Sequence, residues 1–83
     1  MDSLSNDIRN AIFETLRTSL GKPVDLSDHT NIVNDLGFDS VAVMDFVMEI
    51  EDRLDVSVPL DRIAEVETIG DLVSTVRSLK GNV

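Results

Sequence analysis

Ser40 follows Asp39 and the turn residue Gly37 and opens a long amphipathic run, so it is the side chain best placed in this sequence to do chemistry. One chemistry for such a hydroxyl is nucleophilic catalysis, which needs a histidine, an acid and an oxyanion hole. His29 and Asp28 supply the residue types, but no Gly-x-Ser-x-Gly elbow is present and 83 residues scarcely build a substrate pocket. His29 therefore reads as a loop or capping residue. The other chemistry is passive. A serine at a helix amino terminus faces unpaired backbone N–H groups and the positive end of the helix dipole, both of which favour an attached phosphate. A calcium loop fails on spacing, because a loop begun at Asp35 places Ser40 where the invariant glycine belongs. No resident metal is expected.

The elements that must hold Ser40 follow from apolar spacing. Leu4, Ile8, Ala11, Ile12, Leu16 and Leu20 recur at helical intervals, and Gly21 with Pro23 supplies a stop. A long ordered loop from Gly21 to Asp39 follows, pinned by Val24, Leu26, Ile32, Val33, Leu36 and Phe38. Loops of that length in compact domains are usually functional. A second helix is predicted from Ser40 to about Leu54, a short third over Leu60 to Ala64 behind Pro59, and a fourth after Thr68 through Leu79. The expected fold is all-α, a small four-helix bundle of three longer helices and one short one, forming a single domain over residues 1–83.

Composition narrows the partners. Seven Lys and Arg against sixteen Asp and Glu leave a net charge of −9, which argues against nucleic acid or anionic lipid and for a basic partner surface. With no Cys there are no disulfides, thiolate nucleophiles or thiolate-bound zinc, and packing alone must hold the bundle. The amino terminus lacks the basic and apolar regions of a signal peptide, and no stretch approaches the ~20 apolar residues of a membrane span. A cytoplasmic protein without membrane insertion is expected.

The second helix carries one apolar face too many. With ~100° per residue and Val43 at zero, Val43, Phe46, Val47, Ile50 and Leu54 fall within about 60° and form the core stripe. Val41, Met44 and Met48 cluster near ~100–160°, fenced by Asp45 and Asp52 at about 180–200° and Glu51 at about 80°. Either the long loop covers this ridge, or it is a docking surface contiguous with Ser40. Methionine suits a surface that accepts several shapes.

At Asp35-Leu36-Gly37-Phe38-Asp39-Ser40-Val41 the sequence resembles the modification motif of acyl carrier proteins, usually Asp-Leu-Gly-x-Asp-Ser-Leu. The resemblance extends over essentially the whole chain through the acidic second helix, the Asp55-Val56-Ser57-Val58-Pro59 exit and the Thr68-Ile69 start of the last helix. It implies a carrier, not an enzyme, in which Ser40 bears 4'-phosphopantetheine through a phosphodiester and the thiol of that group carries acyl cargo. Asp39 would help hold the metal ion while a holo-acyl-carrier-protein synthase, a phosphopantetheinyl transferase, modifies the serine. Val41, Met44, Asp45, Met48, Glu51 and Asp52 would meet basic patches on acyl-transferring or acyl-elongating enzymes. Phe46, Ile50, Val58, Ile63, Val66 and Ile69 would border an acyl-chain cleft, and a monomer is expected.

Two positions depart from the family pattern. Val41 stands where leucine is usual, and Arg62 brings a positive charge into a third helix that is commonly acidic in fatty-acid carriers. A dedicated carrier for one lipid or polyketide pathway is thus as consistent as one for fatty acid synthesis. The competing readings are an aminoacyl or peptidyl carrier, whose motif is commonly Gly-Gly-x-Ser, and an unmodified acidic interaction module.

Overall fold

A computed structural model describes residues 3–21 and 25–81, and in it the apolar periodicity becomes four helices. They are α1 (Ser3–Leu20), α2 (Ser40–Leu54), α3 (Leu60–Glu65) and α4 (Ile69–Gly81). The all-α bundle expected from spacing is the observed architecture, and the described residues contain no strand beyond an isolated antiparallel bridge between Asn31 and Thr68. Gly21 ends α1 in the left-handed region at φ 69°, and its N–H donates to the Arg17 carbonyl. Pro23 and Val24, part of the expected stop and loop, lie outside the described residues.

The core is made where the apolar stripes of the three longer helices meet. Ile8, Ile12 and Leu16 of α1 pack with Val43, Phe46, Val47 and Ile50 of α2 and with Ile69, Leu72, Val73 and Val76 of α4. Full burial of one such side chain contributes about 1.5–3 kcal/mol, so this cluster carries the fold in the absence of disulfides. The connections add Ile32 and Val58 to it. Among the described residues one polar side chain, Thr15, is buried there, and it is satisfied twice: its hydroxyl donates to the Ala11 carbonyl and accepts from Arg53 Nη1, each at 2.8 Å.

The long loop is fastened from two sides, α1 and the start of α4, which keeps it ordered without regular structure. Arg9 forks onto Asp28 through Nε to Oδ1 at 2.8 Å and Nη2 to Oδ2 at 3.0 Å. This bond holds the Arg9 guanidinium above its ordinary pKa. The Asp28 carbonyl accepts the Gly70 N–H at 2.9 Å, and a Cβ at Gly70 would sit 2.9 Å from that oxygen. Ile32 N–H donates to the Glu67 carbonyl and Ile69 N–H to the Thr30 carbonyl, tying the loop to the start of α4. That start is closed by a capping box: Thr68 Oγ1 accepts the Asp71 N–H, while Asp71 Oδ2 accepts the N–H groups of Thr68 and Glu67. Those two backbone donors hold the Asp71 carboxyl below its usual range.

Candidate functional site

The approach to Ser40 is a tight turn built by local side-chain to backbone bonds. Asn31 Oδ1 accepts the N–H groups of Val33 and Asn34 at 3.0 and 2.8 Å, and Asp35 Oδ2 accepts the Asn31 N–H at 2.8 Å. Gly37 then reverses the chain at φ 73°, a conformation that an L side chain rarely adopts, with its N–H on the Val33 carbonyl. Phe38 returns the chain to the core edge, its ring edge-on to Phe46 at 6.1 Å between centroids. Asp39 is therefore delivered in an extended conformation as the N-cap of α2, where its Oδ1 accepts the Ala42 N–H at 2.8 Å.

Ser40 is the first residue of α2, exposed, and its hydroxyl has no hydrogen-bond partner among the described residues. The N–H groups of Ser40 and Val41 at the helix start have no partner among the described residues, because the Asp39 cap uses only those of Ala42 and Val43. A phosphate ester at this oxygen meets open backbone donors and no steric barrier, so the residues present fit a phosphate-linked prosthetic group.

The apolar ridge is open to solvent. Val41 is 67% exposed, Met44 43% and Met48 61%, so the long loop does not cover them. Beside the ridge Asp45, Glu49 and Asp52 are exposed, and the one cation of α2, Arg53, is turned to Thr15. Glu51 differs from these acids: it is half-buried, and its Oε2 accepts the Val58 N–H at 3.0 Å. A depression of 380 Å³ at the far end of the ridge is lined by Met48, Glu51, Asp52, Asp55, Val56 and Ser57.

Next to Ser40 lies a cleft of 310 Å³ between α2, the long loop and α3. Val33, Ser40, Val43 and Met44 form one side of it, and Leu60, Ile63, Ala64 and Val66 the other. Of the six residues expected to border an acyl-chain cleft, Ile63 and Val66 line this opening. Phe46, Ile50, Val58 and Ile69 lie behind it in the closed core. Val33 and Leu60 were not legible as site residues, because a loop and a six-residue helix offer no periodicity from which to read a face.

The residue types of a triad are not assembled. Asp28 is held by Arg9, and both Asp28 and His29 border a different depression, between α1 and α4, from the cleft that holds Ser40. The His29 N–H donates to Ser27 Oγ in a loop turn, the structural role its position suggests. No group of three or more His, Asp or Glu among the described residues is placed to hold a metal ion, and no helix is long and apolar enough to cross a membrane.

Comparison with known proteins adds a family to this geometry. The family described as the phosphopantetheine attachment site matches residues 10–76. A Caulobacter vibrioides protein named "Probable acyl carrier protein" is 46% identical over 74% of this chain and 71% of its own length. The acyl carrier protein of Lactobacillus acidophilus is 34% identical over 68% of this chain and 70% of its own. In fold, the chain is similar to the acyl carrier protein of Thermotoga maritima, with a TM-score of 0.80 at 22% identity over 94% of this chain and 92% of that one.

Proposed function

Since the chain belongs to the acyl carrier protein family, whose prosthetic group is 4'-phosphopantetheine and whose members are carriers and not catalysts, we propose that Ser40 bears that group here. The phosphodiester would form at the Ser40 oxygen, and acyl intermediates would travel as thioesters on the terminal thiol. The cofactor thus supplies the sulfur that a chain without Cys lacks, and the protein supplies address and shelter. One observation carries the reading: an exposed serine hydroxyl, unbonded among the described residues, sits at the start of a capped helix and at the mouth of an apolar cleft.

The other residues take roles from their placement. Asp39, with Oδ1 committed to the helix cap and Oδ2 without a partner among the described residues, is the residue proposed to help hold the metal ion during modification. Val41, Met44 and Met48, fenced by Asp45, Glu51 and Asp52, are the proposed docking ridge for enzymes with basic patches. Ile63 and Val66 are the proposed walls of the acyl-chain opening, with Phe46, Ile50, Val58 and Ile69 yielding as the chain enters. Acyl carrier proteins work with the synthase that modifies them and with acyl-transferring enzymes. For this chain we assign fatty acid, lipid or polyketide enzymes as the recipients, and a monomeric, cytoplasmic single domain as the working form.

Intact mass distinguishes this reading from an unmodified acidic interaction module. After co-expression with a phosphopantetheinyl transferase the chain is expected to gain the phosphopantetheine increment, and a chain that stays at its unmodified mass would contradict the proposal.

A further inference from the structure

The mouth of the cleft is apolar on sides that a docking face confined to α2 does not include. Val33, from the long loop, is 50% exposed, and Leu60, the first residue of α3, is 67% exposed. Both line the same opening as Ser40 and Met44. A single exposed leucine needs no explanation, but apolar side chains from three separate segments converging on one hydroxyl form a surface. The lining holds no charged residue, whereas the exposed charged residues next in sequence to it are Asp39, Asp45, Asp61, Glu65 and Glu67 against one cation, Arg62. The opening is therefore an apolar patch with a predominantly acidic rim.

We propose that Val33, Met44 and Leu60 form an apolar collar over which the transferase that installs the prosthetic group closes, so that Val33 and Leu60 govern how efficiently Ser40 is modified. The inference rests on the carrier reading of Ser40. Enzymes that act on the cargo meet it at the far end of the arm, so their docking on the α2 ridge does not require them to cover the Ser40 oxygen. The transferase alone must bring its substrate to the Ser40 oxygen, so its footprint includes whatever surrounds that atom. Its substrate, coenzyme A, is polyanionic, and a site that binds it is cationic and complements the acidic rim. In the transfer the Ser40 oxygen bonds to the pantetheine-side phosphorus of coenzyme A and the anhydride bond to that phosphorus breaks. Adenosine 3',5'-bisphosphate departs, and the hydroxyl proton passes to a base of the transferase.

The test follows intact mass against time for the full-length apo chain with a phosphopantetheinyl transferase, coenzyme A and magnesium. Leu60→Asn and Val33→Asn are each expected to lower kcat/KM about tenfold, mainly through KM. Both changes are neutral, so the loss should persist at raised salt, where a charge effect would fade. Leu60→Met is expected to recover the wild-type rate, as an apolar contact requires, the Leu60→Asn variant is expected to keep the wild-type melting temperature because Leu60 is exposed, and Glu14→Gln on α1 should be indistinguishable from wild type. Wild-type rates for both asparagine variants, with Ser40→Ala unlabelled, would overturn the collar and leave the carrier reading standing. Label on Ser40→Ala would overturn the carrier reading itself.

Discussion

The carboxylate of Glu51 accepts the backbone N–H of Val58 at 3.0 Å, so an acid in the docking fence also ties the end of α2 to the connection that carries α3. Val58 is buried, and removing the acceptor leaves its N–H without a partner. Glu51→Ala is expected to cost about 1–2 kcal/mol of stability, whereas Asp45→Ala, on the exposed side of the same helix, should stay within about 0.5 kcal/mol. Urea denaturation midpoints of the two variants check this. Equal midpoints would mean that Glu51 has no structural role.

Acid should weaken the fold partly through Asp71. Its carboxyl is held low by the N–H groups of Thr68 and Glu67, so the folded value lies below the unfolded value of about 4. The sign follows from linkage: the contribution is present above the unfolded value and is lost as pH falls through the lower folded one. Asp71→Ala should therefore melt lower than wild type near neutral pH, with the gap narrowing as pH drops below about 4. A gap constant over that range would mean that the capping bonds do not depend on the charge.

Charge steering onto α2 is expected because Asp45 and Asp52 are exposed and Arg53 is engaged with Thr15. Reversing both acids to Lys should slow association with a cognate acyl-transferring enzyme, and added salt should weaken the wild-type complex. Stopped-flow association rates at low and high salt measure both. A reversed variant that associates at the wild-type rate in low salt would place the docking face elsewhere.

Cargo entering the cleft should stabilise the fold, since the folded state binds the chain and the unfolded one does not. Each methylene buried contributes up to ~0.8 kcal/mol, less the cost of parting the core behind Ile63 and Val66. Melting temperature is expected to rise with attached acyl length, and Ile63→Trp should flatten that rise by filling the opening. A wild-type melting temperature indifferent to acyl length would mean that the cargo remains in solvent.

Elements governed by local chemistry were readable in the sequence. The stripes of α1, α2 and α4 each set their own helix, Pro59 marked the start of α3, and Asp39 before Ser40 marked the start of α2. The ridge of Val41, Met44 and Met48 was legible because helical spacing separates it from the core stripe. Choices among distant partners were not legible. Sixteen acids compete for Arg9 and the Val58 N–H on sequence alone, and only the packed chain selects Asp28 and Glu51. The cleft was legible in part for the same reason: its walls come from a loop, a long helix and a six-residue helix, and apolar type alone does not separate Ile63 at the opening from Phe46 in the core.

The central claim is that one oxygen, Ser40 Oγ, receives the prosthetic group. Wild type and Ser40→Ala, each treated with a phosphopantetheinyl transferase, coenzyme A and magnesium and then weighed intact, test it most directly. The account expects one phosphopantetheine on the wild-type chain and none on the alanine variant. A wild-type chain that takes no label, or an alanine variant that takes it, would contradict the account.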